Sequence, residues 1–386
     1  MNILTLDSET SIYNKGNPFD PRNICVSLHT KLNASPTKCK FYDEPDFTSL
    51  TRKGLSSAKL LVGCAIKFDI HWLTNLGIKL PVGIRVWDCM LAEFILSGQT
   101  NSFASLNSMA EFYGLGQKHD EVADYWKKGI STEDIPREIV EEYGNWDVDL
   151  TYQVYLKQLE DPRMTDKIRK LILLDGADLL VLQEMEYNGL KYNKGRSLEL
   201  ATECQQRIKE LEDELFRIGG ITKLNFDSDD QLSAYLYGGS YSEDLYTPVV
   251  SVYKSGPRKG QEYTQNRFVE TITHNFGGFF NPIKGTALKK EGLYSTAGDV
   301  LKQLRATTKM QKLVIGALLE RADLNKLSGT YYAGIPQLME TMGWTEYIHP
   351  NYNQVIARTG RLSSSKPNAQ NFSAEGDVML ESRFDY

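Results

Sequence analysis

The chain has 386 residues, 41% of them hydrophobic and 24% charged, which predicts two or three globular domains with sizeable cores. No apolar run approaches the roughly 20 residues that span a bilayer, and the β-prone start leaves no room for a signal peptide, so no membrane association is expected. The net charge of −6 argues mildly against a nucleic-acid partner, but it is unevenly spread: residues 1–190 hold 20 basic and 27 acidic side chains, residues 254–326 hold 13 and 6. Phosphates respond to local cationic surface more than to the total, although an ordinary solvated face would carry the same excess.

In chain order, Met1–Leu6 is apolar and β-prone and runs into Asp7-Ser8-Glu9-Thr10. Ile24–Thr30 and Cys39–Tyr42 follow as strands of a meander, and Leu60–Ala65 as a short buried strand. Helices are predicted over Lys67–Leu76, stopped by Gly77, then over Asp88–Leu96, Ser105–Tyr113 and Pro136 to about Leu159. Strands first and helices after give an α/β domain over about residues 1–160. Residues 163–220 read as helix broken at Asn188-Gly189 and stopped at Gly219-Gly220. The stretch Tyr237–Asn281, around Ser255-Gly256-Pro257, has the texture of a hairpin or flexible insertion. Helical patterns return at Thr296–Arg305 and Gln311–Ala322, and from Ile348 the chain reads as irregular and polar. Cys25, Cys39, Cys64, Cys89 and Cys204 are odd in number and form no C-x-x-C pair. They read as free thiols in a reducing compartment, neither zinc ligands nor a disulfide framework.

Asp7 and Glu9 lie two apart on a strand, so they share a face. Burying two carboxylates together is costly unless a cation holds them, which points to a hard divalent metal. Read alone, the pair fits two solvent-facing acids at a strand end somewhat better. Asp69, in the first turn of a helix, is by itself no more than an acid complementing the helix dipole. Tyr143 and Asp147 lie four apart on a helix and share a face, where a phenol beside a carboxylate can orient a water. Asp149 is expected to point elsewhere into solvent, and Asp88 to cap a helix in preference to binding metal.

Taken as an ordered set, Asp7-Ser8-Glu9-Thr10, Lys67-Phe68-Asp69 and Tyr143-Gly144-Asn145-Trp146-Asp147 resemble the three motifs of the DEDDy exonucleases. That superfamily has an RNase H-like fold and includes the proofreading domains of DNA polymerases. The resemblance implies two-metal phosphodiester hydrolysis at a DNA 3′ end, with Asp7, Glu9, Asp69 and Asp147 holding two Mg²⁺ or Mn²⁺ ions about 3.5–4 Å apart and Tyr143 placing the attacking water. Single-stranded or frayed ends would be preferred, because terminal bases must unstack to reach such a site. One departure is Ala65, where family members often carry an Asn that supports the site or contacts substrate.

A second resemblance comes from the other end. Thr359-Gly360-Arg361-Leu362-Ser363-Ser364, followed by Pro367-Asn368 and Gln370-Asn371, is similar to a palm segment of the family A DNA polymerases, with Ala369 where the family usually has Leu. The resemblance implies that Arg361, with Gln370 and Asn371 nearby, meets DNA near the primer terminus. Minor-groove acceptors are shared by all correct pairs, so an Arg there senses geometry without reading sequence. Glu184–Leu190 resembles the E-x-x-G-(V/L) turn that opens the polymerase region, and Lys326-Leu327-Ser328-Gly329-Thr330-Tyr331 the end of the thumb. Lys289, Lys290, Lys302, Arg305, Lys309, Lys312 and Lys326 would then touch duplex phosphates.

The implied fold is an α/β, RNase H-like exonuclease domain (1–160), followed by a mostly helical polymerase region and thumb (161–345, with the hairpin-like insertion 240–281) and an incomplete palm (346–386). No D-Y-S-Q-x-E strand, fingers helix or H-D-E hairpin is in place. His119-Asp120-Glu121 falls inside the first domain and reads as coincidence. Ser382-Arg383-Phe384-Asp385-Tyr386 resembles the approach to the first catalytic palm strand. Polymerisation by this chain alone is therefore not expected. Either a second polypeptide supplies the fingers and the rest of the palm, as in a split, phage-type polymerase, or the chain is a truncated product; the half palm would then expose strand edge and apolar surface. A bacterial or phage-infected cytoplasm is the expected location. The competing expectations are a non-catalytic primer–template scaffold and a freestanding RNase-D-like exoribonuclease.

Overall fold

The computed structural model describes residues 2–372 and Leu380, apart from Ser102, Ala104, residues 117–120 and Thr222. Ser382–Tyr386, and His119 and Asp120, lie outside the described residues. Two compact units are formed, one from residues 1–196 with 335–386 and the other from 197–334.

The first unit is built on a five-stranded sheet. Its strands are β1 (Ile3–Thr10), β2 (Cys25–Leu32), β3 (Lys38–Phe41), β4 (Leu60–Gly63) and β5 (Arg85–Asp88), in the order β3-β2-β1-β4-β5. β1 is antiparallel to β2 and parallel to β4. All four residues of β4 are buried, as expected of a parallel strand covered on both faces. Helix α1 (Ser49–Ser57) is absent from the sequence reading. It packs closely because Gly54 has no Cβ: one would come within 2.7 Å of Leu4. Helices α2 (Lys67–Asn75), α3 (Cys89–Leu96), α4 (Leu106–Phe112), α5 (Glu121–Lys127), α6 (Arg137–Glu160) and α7 (Asp166–Asn188) follow. α7 lies directly against β5, since a Cβ on Gly176 would strike the Val86 carbonyl at 2.3 Å. The core gathers Leu4, Leu6, Leu61, Ile66, Trp87, Met109 and Ile172. Trp87 is fully buried and spends its one donor on Gln158 Oε1 at 2.9 Å, the satisfaction a buried indole requires.

After α7 come β6 (Leu190–Lys191) and α8 (Lys194–Gly219), then α9 (Asp229–Tyr237), β7 (Gly239–Val252), β8 (Glu262–Phe276), α10 (Gly298–Leu301) and α11 (Lys309–Leu327). The expected hairpin is present as β7–β8. The expected helix over 296–305 shrinks to the single turn of α10, because only Leu301 of that turn is buried and so short a helix has little packing to sustain it. The second unit's core joins Leu211, Leu215, Phe226, Tyr235, Leu236, Val314 and Leu318. Buried Arg321 is neutralised by Glu212 at 2.7 Å and Asp227 at 2.9 Å.

The end of the chain returns to the first unit through α12 (Gly334–Met342), β9 (Tyr347–Ile348), β10 (Asn351–Asn353) and β11 (Ser363–Ser365). The region read as irregular thus contains short ladders: β6 pairs with β9, and β10 with β11. Strands of two or three residues are too brief to show alternation.

Candidate active site

β1 runs through Thr10, so Asp7 and Glu9 sit within a central strand and, by its alternation, on one face. Their cross-strand partners are His29 and Ser27. α6 packs on the sheet, bringing Asp147 to them: carboxylate oxygens of Asp7, Glu9 and Asp147 lie within 4.8 Å of one another. Glu9 is buried, Asp7 and Asp147 half-buried. Three close carboxylates offer hard oxygen donors and repel one another without a cation, so the donor set fits Mg²⁺ or Mn²⁺.

Asp69 is not one of these three. It is buried in the first turn of α2, where Ser8 Oγ donates to its Oδ1 at 2.6 Å. Burial, and then the neighbouring charge of Asp7, push its carboxyl well above the usual range, while the Ser8 hydrogen bonds pull the other way. The same concentration of negative charge reaches Cys25: burial first, then Asp69, Glu9 and Asp7, push its thiol well up. All five cysteines are free thiols.

Tyr143 lies one turn before Asp147 on α6 and packs edge-on against Trp126, ring centroids 5.8 Å apart. Gly144 follows it for a steric reason. A Cβ there would meet the ring of His29 at 2.4 Å, so only glycine lets α6 approach β2. His29 is wholly buried, with Nδ1 3.0 Å from Asn145 Oδ1 and Nε2 2.8 Å from the Ser27 hydroxyl. Strand parity places His29 opposite Asp7, and that signal could have found it.

Asp88 caps α3, as expected, by accepting from the Met90 and Leu91 amides. It also accepts from the Ile66 amide at 2.8 Å, which fixes the turn leading into α2 and Asp69. That turn puts Ala65 at φ 55, a region costly for residues with a Cβ. Asp149 is not simply solvated: Lys31 Nζ lies 2.8 Å away and Thr37 also donates to it, because Lys31, on β2 beneath α6, has no nearer acid among the ion pairs of the described residues.

A second buried polar centre went unseen in the sequence. Glu186, near the end of α7, accepts from Lys67 Nζ at 2.6 Å, His71 Nε2 at 2.8 Å and the Tyr352 amide at 2.6 Å. It ties both ends of the Lys67–His71 turn, with Asp69 between them, to α7 and β10. Burial would raise its carboxyl, but the His71 hydrogen bond and the Lys67 charge and hydrogen bond hold it below the usual value.

The residues expected to meet DNA are exposed. In the second unit these are Lys289, Lys302, Arg305, Lys309, Lys312 and Lys326. Lys290 is exposed too but ion-paired with Asp230. In the first unit Arg361 lies on the connection between β10 and β11, with Gly360 at φ 71 before it. Gln370 donates to the Leu362 carbonyl at 3.1 Å, Ser364 Oγ accepts from the Ala369 amide, and Asn371 is exposed. Among the described residues no helix is long and apolar enough to cross a membrane.

Residues 1–161 match the 3′-5′ exonuclease family, and residues 273–383 match DNA polymerase family A. DNA polymerase I of Bacillus subtilis is 25% identical over 288 residues, 74% of this chain and 27% of that protein. DNA polymerase I of Pseudomonas aeruginosa is 27% identical over 327 residues, 82% of this chain and 30% of that protein. The chain thus spans less than a third of the length of these relatives. Among solved structures, the POL domain of Pol1 from M. smegmatis, in complex with DNA primer-template and dNTP, has a TM-score of 0.65 at 18% identity, covering 97% of this chain and 53% of that one. The two share a fold.

Proposed function

We propose that this chain is part of a family A DNA polymerase, in which residues 1–160 act as a divalent-metal-dependent 3′→5′ DNA exonuclease while the remainder, 161–345 and 346–386, binds primer–template. The observation that carries the reading is the convergence of Asp7, Glu9 and Asp147, with Tyr143 one turn from Asp147. A freestanding exoribonuclease is not favoured, since residues 273–383 match DNA polymerase family A.

Asp7, Glu9 and Asp147, joined by Asp69, would hold two Mg²⁺ or Mn²⁺ ions. When bound, such ions supply Lewis-acid activation of water and neutralise charge on the leaving oxygen. Tyr143 orients the attacking water by its hydroxyl, and the His29–Gly144 contact fixes the height of α6 that sets Tyr143 and Asp147 over β1. Ser8 holds Asp69 facing that strand. Lys289, Lys302, Arg305, Lys309 and Lys326 give sequence-neutral phosphate contacts, and Arg361, Gln370 and Asn371 contacts near a primer end. In this reading a second polypeptide supplies the fingers and the remaining palm.

The test uses matched DNA and RNA oligonucleotides carrying a 3′ label, in Mg²⁺. Release of 5′-nucleotides from the DNA 3′ end, faster than from RNA, is expected. Preference for RNA would contradict the assignment. Binding of primer–template without cleavage would leave the scaffold reading.

A further inference from the structure

The β7–β8 hairpin is unassigned up to residue 272, since it lies between the matched segments 1–161 and 273–383. Its strands pair from Gly239↔Phe276 to Val252↔Glu262, an arm of roughly 45 Å at strand rise. A lone two-stranded ribbon is marginal in water, so its side chains should account for its persistence. Cross-strand aromatic contacts do so in part: Tyr246 with Phe268 at 5.9 Å and Tyr253 with Tyr263 at 4.5 Å. Near the base, Lys223 is ion-paired with Glu243 at 2.9 Å, and His274 Nε2 lies 3.3 Å from the same carboxylate.

The tip differs. Residues 253–261 hold Lys254, Arg258 and Lys259 and no acid. All three are exposed, and none has a carboxylate partner among the described residues. The tip backbone is closed by its own bonds, Tyr253 N to Gln261 O at 3.0 Å and Gly260 N to Tyr253 O at 2.9 Å. Gly256 at φ 81 and Gly260 at φ 88 permit that turn. The Arg258 guanidinium stands 5.7 Å from the Tyr253 ring centroid. An arginine so stacked keeps its N–H edge available for a bidentate phosphate contact.

We propose that Lys254, Arg258 and Lys259 at this tip form a phosphate-binding site for the backbone of duplex DNA. The proposal rests on the reading that this chain binds DNA, and adds a contact outside the matched segments. At the tip the observations favour nucleic acid over a protein partner because residues 253–261 present three exposed cations, no acid and no counter-charge.

The experiment measures binding of the full chain to a fluorescent duplex primer–template by anisotropy, across a range of KCl concentrations. Native chain is compared with K254A/R258A/K259A and with K254R/K259R, which keeps the charge. Three lost phosphate contacts reduce the slope of log K against log salt by about 2 to 3 and weaken binding about tenfold or more at low salt, while K254R/K259R behaves as native. Should the triple variant melt early, R258A and K259A singly are expected to lower the slope by about one each. A triple variant with native affinity and slope overturns the proposal, as does a K254R/K259R variant as weak as the alanine one. Native chain that fails to bind the duplex overturns the DNA-binding reading together with this one.

Discussion

Ser8 Oγ donates to Asp69 Oδ1 across 2.6 Å of buried space, so the residue between Asp7 and Glu9 holds the acid of the second motif. In the metal-free chain this is an expensive arrangement. Burial and the charge of Asp7 both disfavour ionised Asp69, and one hydroxyl does not replace the hydration it has lost.

Asp69→Asn should therefore stabilise the metal-free chain while abolishing metal-dependent hydrolysis. The folded-state pKa is above the unfolded one, so the penalty is absent below the unfolded value of about 3.9 and grows as pH rises towards the folded value. Thermal melts in EDTA should show the variant gaining on native as pH rises above about 4. A variant melting below native at pH 8 would contradict this.

Metal should stabilise the native chain by linkage. At an ion concentration 100 times the dissociation constant the gain is about 2.7 kcal/mol, read as a rise in melting temperature with Mn²⁺ or Mg²⁺. Asp7→Ala/Glu9→Ala should lose that rise. An equal rise in both proteins would place the ion elsewhere.

Glu186 lies outside the acid cluster of Asp7, Glu9 and Asp147, yet its loss should be costly. Glu186→Ala leaves His71 Nε2 and the Tyr352 amide without their acceptor and the Lys67 ammonium with only the Tyr352 carbonyl, a loss of about 3–5 kcal/mol; Glu186→Gln, which can still accept, should lose less. Because the carboxyl is held below its ordinary value, its contribution is complete above the unfolded pKa of about 4.3 and fades as pH falls through the folded value. Urea unfolding should show native and Glu186→Gln converging below about pH 4. A constant gap down to pH 3 would refute the linkage.

Ala65 is exposed and sits at φ 55. Ala65→Gly should raise the urea midpoint, a gain of about 0.5–1 kcal/mol, since no packing is lost. Ala65→Asn should also be tolerated there, as Asn enters this region more readily than Ala. A lower midpoint for Gly would show that the turn is not strained.

Much of this was legible because the informative residues repeat or punctuate. An apolar, β-prone run exposed β1, Gly77 and Gly189 marked helix ends, and spacing four put Tyr143 and Asp147 on one face. The rest depends on contacts between residues far apart in sequence. Glu186 meets Tyr352 over 166 positions and His29 meets Asn145 over 116, and neither leaves a local pattern. Asp149 is half-exposed and outside the acid cluster, as expected, but its partners Lys31 and Thr37 lie more than a hundred positions away and left no local sign. The bond from Ser8 to Asp69 also went unseen, since serine is too common in strands to announce it.

The most direct measurement is degradation of a 3′-labelled single-stranded DNA in Mg²⁺ by the native chain and by Asp7→Ala/Glu9→Ala, both shown folded by their melts in EDTA. The account predicts release of the label as a mononucleotide from the 3′ end with the native chain and an intact labelled strand with the double variant. Equal degradation by both, or an intact strand with the native chain, would contradict the assignment of these carboxylates as a nuclease centre.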